Sequence, residues 1–166
     1  MADVRPLRLT SELSVENLVA KKNGRTISVC IPARNEAATI APILLRIKRE
    51  LMDAHPLVDQ LIVMDHESTD QTAEVASECG ATVIPANEVM SQFGPALGKG
   101  DVLWRSVEVS TGDIVVWLDA DLASFTAQYV SGLVGPMLND ESIALVRANY
   151  QRTLHGEGDE GGRVTE

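Results

Sequence analysis

Aromatic residues are scarce in this chain, with two Phe, two Trp and two Tyr among 166 residues. Its interior must therefore be aliphatic. Cysteine is scarcer still. Cys30 and Cys79 lie far apart and outside any CxxC spacing, so a disulfide framework and a zinc ribbon are excluded and a reducing cytoplasm is the expected location. Long apolar runs are also missing. The longest, residues 114–118, has five members, too few for a membrane span or the apolar core of a signal peptide, and no membrane partner is expected. Positive charge is nearly absent from most of the chain. Residues 51–166 carry five Lys or Arg against nineteen Asp or Glu, a net of −14, whereas residues 1–50 carry nine against five, a net of +4. A chain with an overall charge of −10 is a poor non-specific binder of nucleic acid, and none is expected as a partner. Clustered carboxylates can instead hold a divalent cation, which in turn holds a phosphate.

What is present is ordinary globular material, 45% hydrophobic and 23% charged, at a length suited to one domain. Residues 1–13 read as a lead-in, and Ser14 as the cap of a short helix ending near Lys22, with Asn23-Gly24 as its stop. From there strands and helices alternate. Strands are expected at residues 26–31, 58–64, 81–84, 114–118 and 142–150. Helices are expected at 37–54, 69–79, 98–110 and 126–138. In the first of these helices Ile40, Ile43, Leu44, Ile47 and Leu51 form one apolar stripe. This alternation predicts an α/β fold with a mainly parallel sheet flanked by helices. Residues 155–162, HGEGDEGG, read as a Gly- and acid-rich loop without core character.

Ligands of open parallel sheets sit beyond the carboxyl ends of the strands. Three such ends here are polar: Pro32-Ala33-Arg34-Asn35-Glu36, Asp65-His66-Glu67-Ser68-Thr69-Asp70 and Asp119-Ala120-Asp121. No GxGxxG comes after the first strand, which argues against a dinucleotide site. The segment Gly94–Gly100 has a P-loop's glycines but is one residue short and lacks the Ser or Thr for magnesium. A DxD triplet alone means little, since eleven Asp give about 0.7 by chance. Its place after the most apolar strand gives it weight, because both carboxylates then meet at the mouth of a buried sheet, where hard oxygen ligands suit Mg²⁺ or Mn²⁺.

Four segments in order carry a family resemblance: SVCIPARNEAATI (28–40), LIVMDHESTDQT (61–72), GKGDVLWRS (98–106) and GDIVVWLDADL (112–122). Together they resemble a GT-A glycosyltransferase, and within that superfamily the actinobacterial glucosyl-3-phosphoglycerate synthases. The terminal GGRVTE, ending at Glu166, adds a further match. The resemblance runs from about residue 24 to 166. It implies a GT-A, Rossmann-like fold divided into a lead-in (1–23), a nucleotide-sugar-binding domain (24–154) and a Gly/acid-rich tail opening the acceptor region (155–166), with the chain truncated after its donor-binding half. The implied activity is metal-dependent transfer of glucose, with retention of configuration, from a nucleotide-sugar, commonly UDP-glucose, to 3-phosphoglycerate.

The resemblance also assigns roles. Pro32, Ala33 and Glu36 lie in the loop that holds uridine and ribose, although Glu36 reads equally as a carboxylate at a helix N-terminus. Asp65 and His66 open the loop that contacts base or ribose. His66 and Glu67 depart from the family there, where small residues are usual. Asp70 reads as a helix cap. Lys99, between two glycines at a helix start, is implied to contact uracil or diphosphate. Asp119 and Ala120 are implied donor contacts, and Asp121 with Asp119 the ligands of Mg²⁺ or Mn²⁺. Arg163, Val164 and Thr165 match the segment that receives the acceptor's phosphate and carboxylate. Arg105 is open to either cleft or solvent, Trp104 and Trp117 read as core, and His55 and His155 as surface. Family members run past Glu166, so the catalytic residues are expected beyond Glu166, the chain is expected to show little activity alone, and a homodimer is expected of the full-length form. Two other readings stand beside this one. A non-catalytic module that only binds nucleotide-sugar is one. A sugar nucleotidyltransferase is the other, but it would need a Gly-rich basic loop after the first strand, and Pro32–Glu36 does not supply it.

Overall fold

The β-branched segment after Gly24 extends as β1 (Ile27–Ala33) and lies at the centre of the architecture. The computed structural model describes residues 14–148 and the backbone of 152–154 and 157–159. Before β1, helix α1 (Val15–Lys21) is capped by Ser14, whose hydroxyl accepts from the Asn17 N–H at 3.4 Å. After it come α2 (Ile40–Ile47), which runs into a π-helical turn (Lys48–Asp53), then β2 (Gln60–Asp65), α3 (Thr72–Glu78) and β3 (Thr82–Pro85). Two short 3₁₀ turns (Ala86–Glu88 and Ser91–Phe93) lead to α4 (Gly98–Val109) and β4 (Ile114–Trp117). The long helix α5 (Gln128–Asn139) comes next, then a hairpin of β5 (Arg152–Leu154) and β6 (Glu157–Asp159).

Strands β1 to β4 form one parallel sheet in the order β3-β2-β1-β4. The chain builds outward from β1 to β3 on one side and then returns to add β4 on the other. The strand order thus reverses between β1 and β4, which opens a crevice at their carboxyl ends. The register sets Ala33 beside Asp65 and Cys30 beside Trp117, so the three polar loops leave the sheet along one rim.

Period-two alternation divides the interior into two cores. Val29 and Ile31 of β1, Leu61 and Val63 of β2, and Ile114 and Val116 of β4 pack against α1, α2, α3 and α5. Cys30, Ile62 and Met64 face the other way, onto Val102 of α4 and onto Ala86, Val89 and Ala96. At the opposite rim Gly112 lets two backbones meet, because a Cβ there would lie 2.5 Å from the Ser28 nitrogen.

Four expectations need correction. The helix expected from residue 37 begins at Ile40, because the N–H groups of Thr39 and Ile40 both bond to the Glu36 carbonyl and close a turn first. The helix expected from residue 69 begins at Thr72, because the Asp70 carboxylate takes the Thr72 N–H at 3.0 Å and holds 70–72 in a side-chain-closed turn. The strand expected at 142–150 does not form over the described residues 142–148. Ser142 and Ile143 turn back onto Asp140, and residues 144–148 have no ladder partner among the described residues. Apolar, β-branched residues make a strand only where a ladder partner exists. Part of the loop expected at 155–162 is regular, since 157–159 pairs with 152–154.

Candidate functional site

Hydrogen bonds tie the loops at the carboxyl rim into one continuous chain of contacts. The loop after β1 is cross-linked to the loop after β2. The Ser68 hydroxyl accepts from Asn35 N–H at 3.0 Å, the Asn35 side-chain carbonyl accepts from Thr69 N–H at 2.8 Å, and Thr72 Oγ1 accepts from Glu36 N–H at 2.8 Å. Asp70 completes the link by accepting from Ala37 N–H at 3.1 Å and from the Thr72 hydroxyl. The Thr72 hydroxyl, first, and these backbone N–H groups hold the Asp70 carboxyl below its ordinary value. Asp70 is thus a clamp between two loops rather than the expected helix cap, since Gln71 holds the N-cap position of α3 and no side chain caps that helix.

The loop after β2 is tied in turn to residues 86–97. His66 Nε2 lies 3.1 Å from the Ala96 carbonyl, which can only accept, so that nitrogen carries the proton. Glu67 accepts from Asn87 Nδ2 at 2.9 Å, and Asn87 Oδ1 accepts from Ala96 N–H at 2.7 Å. His66 and Glu67, the two residues that depart from the family pattern, therefore grip both sides of the Ala96 peptide between them.

Arg105 carries the chain of contacts onward. It faces neither cleft nor bulk solvent. Its side chain is 1% exposed, and it donates to the carbonyls of Val89 (2.5 Å) and Gly94 (2.8 Å) and to Asp101 (3.2 Å). Asp101 also accepts from Leu97 N–H at 2.8 Å, and that bond, before the Arg105 contact, holds its carboxyl below the ordinary range. These bonds fix the entry to α4, two residues before Lys99. The Lys99 ammonium is paired with the Asp119 carboxylate just beyond β4. The rim thus joins the loops of all three expected segments.

Each expected site residue within the described chain has a definite place. Glu36 accepts from the Thr39 hydroxyl at 2.7 Å, in the turn that precedes α2. Pro32 is half-buried, and Ala33 and Ala120 are buried, so what the two alanines offer a ligand is main chain; the Ala33 carbonyl already accepts from His66 N–H at 2.9 Å. One oxygen of Asp65 accepts from Ser68 N–H at 3.3 Å. Its other oxygen, Oδ1, is buried and has no hydrogen-bond donor. An orphaned carboxylate oxygen at a cleft is an unfilled acceptor for a ligand N–H or O–H. Asp121 is exposed and makes no side-chain hydrogen bond or ion pair among the described residues. Among those residues no group of three or more His, Cys, Asp or Glu is arranged to hold a metal. Asp119 and Asp121, two positions apart just beyond β4, are the two carboxylates that a Mg²⁺-like ion completed by phosphate and water could use. The expected acceptor residues Arg163, Val164 and Thr165 lie outside the described residues, as do His155 and the terminal Glu166, beyond which the catalytic residues are expected.

Two further readings are corrected. Trp104 and Trp117 are not core: they are 48% and 41% exposed. A single helix, α4, covers their face of the sheet among the described residues; Trp117 reaches Ser106 by an N–H to hydroxyl bond of 3.0 Å, and Trp104 meets the edge of Phe93. His55 is at the surface as expected, 3.3 Å from Glu16. The supporting residues Asn87, Asp101 and Arg105 were not singled out as a unit. The Asp101–Arg105 spacing of one helical turn was the available signal. No helix of the described residues is long and apolar enough to cross a membrane.

The glycosyl transferase family 2 model matches residues 28–157, and so covers the sheet and every rim loop just described. The chain belongs to glycosyl transferase family 2. Among the family 2 relatives, the glucosyl-3-phosphoglycerate synthase of Mycolicibacterium smegmatis is 42% identical over 157 residues, 92% of this chain and 51% of that protein. A crystal structure of the Mycobacterium tuberculosis glucosyl-3-phosphoglycerate synthase with Mn²⁺, uridine-diphosphate-glucose and phosphoglyceric acid superposes with a TM-score of 0.71 at 41% identity, covering 85% of this chain and 47% of that one. The mannosyl-3-phosphoglycerate synthase of Rubrobacter xylanophilus superposes with a TM-score of 0.72 at 42% identity, covering 75% and 41%. The chain spans about half the length of the curated relatives it matches. Its sheet and flanking helices are those of a GT-A-like family 2 fold.

Proposed function

We propose that this chain carries the nucleotide-sugar site of a glucosyl-3-phosphoglycerate synthase-like glycosyltransferase, which transfers glucose from UDP-glucose to 3-phosphoglycerate with retention of configuration and with Mg²⁺ or Mn²⁺. The observation that carries the reading is the emergence of Asp119 and Asp121 beyond β4, at the point where the strand order reverses beside β1. The likeness to enzymes solved with Mn²⁺, uridine-diphosphate-glucose and phosphoglyceric acid supports it.

In this reading residues 24–154 form the donor-binding domain, residues 1–23 precede it, and 155–166 open the acceptor region, with Arg163, Val164 and Thr165 receiving phosphate and carboxylate. Asp119 and Asp121 hold the cation, which when bound draws charge from the departing diphosphate. The chain's own residues bind and orient. Asp65 Oδ1 accepts an N–H from the base, as the ring N–H of uracil can supply. The half-buried Pro32, the main chain at Ala33 and Ala120, and Glu36 border the base and ribose. His66 holds the wall of the site through the Ala96 peptide. Lys99, fixed at the base of α4 by the Arg105–Asp101 pair, supplies positive charge to the diphosphate. Donor and acceptor held in line supply the entropic part of the catalysis. The two buried, free cysteines suit a reducing cytoplasm, and a homodimer is proposed for the full-length enzyme.

Calorimetric titration with UDP-glucose tests the reading. Binding should require Mn²⁺, vanish with EDTA, and weaken on the order of tenfold or more in Asp121→Ala. Lys99→Ala should lower donor affinity with thermal stability nearly unchanged, because an exposed Lys contributes little to folding. Binding that is equal with and without metal and in Asp121→Ala overturns it. The alternative of donor binding without transfer separates by product formation from UDP-glucose and 3-phosphoglycerate, assayed with the full-length enzyme beside the 166-residue chain.

A further inference from the structure

We propose that His66, Glu67 and Asn87 are positioning residues of the donor site, joined in a closed ring of hydrogen bonds by which the loop carrying Asp65 holds the start of α4, a role that rests on the donor-site reading above. In that reading Asp65 and Lys99 both meet the nucleotide. They lie on different elements, at the end of β2 and the beginning of α4, and the spacing between them has to be fixed by what joins those elements. Three hydrogen bonds and the chain itself close the ring. His66 Nε2 donates to the Ala96 carbonyl at 3.1 Å, the Ala96 N–H donates to Asn87 Oδ1 at 2.7 Å, and Asn87 Nδ2 donates to Glu67 at 2.9 Å, next in sequence to His66. A carboxylate only accepts, so Glu67 takes the Nδ2 end of Asn87 and turns its Oδ1 end to Ala96.

Two features mark the ring as a positioning device. Glu67 stands in left-handed backbone at φ 56°, a conformation that suits glycine and costs any other residue. Such strain persists where its surroundings hold it, and it gathers at ligand clamps. Residues 86–97 make two 3₁₀ turns and have no ladder partner among the described residues, so side chains set their place. Arg105 and Asp101 tie this segment to α4, and the ring ties it to the loop after β2. Ala96 is buried, but Glu67 is exposed and His66 and Asn87 are half-buried, so the ring's side chains compete with water and add little to folding. What they fix is position. Ala96 lies three residues before Lys99, and Leu97 between them is itself held by Asp101. Without the ring both elements still fold, but the gap between Asp65 and Lys99 is free to vary. The nucleotide must then freeze that gap on binding, and affinity falls.

Calorimetric titration of the 166-residue chain with UDP in the presence of Mn²⁺, beside amide exchange at Leu97, tests the role in wild type, Asn87→Ala, Glu67→Gly and Glu67→Gln, and in Lys99→Ala with and without Asn87→Ala. Asn87→Ala should weaken UDP by about three- to tenfold, the factor that corresponds to one ordinary hydrogen bond, with the melting temperature nearly unchanged. Leu97 N–H should exchange faster in it by a similar factor, although its own acceptor Asp101 is untouched. Glu67→Gly, which removes the carboxylate while easing the backbone, should give the same loss and serves if Asn87→Ala folds poorly. Glu67→Gln keeps an acceptor for Asn87 and should bind within about twofold of wild type. In a Lys99→Ala background Asn87→Ala should lose most of its effect, because the ring acts through the place of Lys99. Wild-type UDP affinity in both Asn87→Ala and Glu67→Gly, or full additivity with Lys99→Ala, overturns the proposal. A wild-type chain that binds no UDP overturns the donor-site reading instead, which keeps the two failures apart.

Discussion

Replacing Arg105 with Ala should cost the protein about 4 kcal/mol of stability. The guanidinium is 1% exposed and is the donor to the Val89 and Gly94 carbonyls. Leaving a buried acceptor unsatisfied costs about 1–3 kcal/mol, and water entering the vacated volume brings the two together to roughly 2 kcal/mol. Loss of the two buried stem methylenes beyond Cβ adds roughly 1.6 kcal/mol, at about 0.8 per methylene. Asp101 contributes no share to this figure, because its carboxylate is partly exposed and keeps the Leu97 N–H. For a chain of this size the loss corresponds to a fall in Tm on the order of 10 °C. Urea unfolding followed by circular dichroism, together with a thermal melt, reads it directly. Arg105→Lys keeps the charge but not the planar fork, and should recover less than half of the loss. Because these bonds set the entry to α4, donor affinity should fall in parallel with Lys99 untouched. A loss below about 1 kcal/mol for Arg105→Ala would refute the account of this residue as the staple of residues 89–97.

Gly112→Ala should destabilise the sheet markedly, since its Cβ would press on the Ser28 backbone nitrogen at 2.5 Å and the Ile114 carbonyl at 2.9 Å; the urea midpoint checks it, and a wild-type midpoint would be contrary. Asp113 accepts from the Thr26 N–H at 2.7 Å and hydroxyl at 2.9 Å, and these bonds, the backbone one first, hold its carboxyl below its ordinary 3.8. A depressed carboxyl stabilises fully above its unfolded value and ceases to as pH falls through its folded value, so the urea midpoint should drop as pH is lowered from about 5 to about 2. Asp113→Asn should be less stable at neutral pH and show a shallower acid slope. Asp65→Ala should weaken UDP-glucose binding by roughly tenfold or more, the value of a hydrogen bond to a charged acceptor, as read in a competition assay; affinity equal to wild type would be contrary.

Much of the architecture was legible in the chain. The β-branched segments alternate with helical stripes, and each strand of the parallel sheet was located to within a few residues. Residues 142–150 show the limit: their composition is that of a strand, but composition does not disclose whether an edge is available to pair with. The starts of α2 and α3 were displaced for a local reason, because Glu36 and Asp70 bind backbone N–H groups and close turns before the helices begin. The rim residues were legible because they come directly after strands, a position that topology converts into a shared cleft. The network that holds the rim was not. Arg105 looked like any charged residue on a helix. Its burial depends on carbonyls 11 and 16 residues away, which no periodicity records. The tryptophans failed for a related reason, since helical and strand patterns say which face a residue takes but not how much of that face is covered.

The proposed site places a cation at Asp119 and Asp121 against a donor whose base meets Asp65. Crystals of the chain grown with Mn²⁺ and UDP-glucose, with data collected at the manganese absorption edge, test this most directly. The expected result is an anomalous peak within bonding distance of the carboxylates and a ligand N–H on Asp65 Oδ1. Manganese bound elsewhere, or donor density away from the β1–β4 crevice, would contradict it.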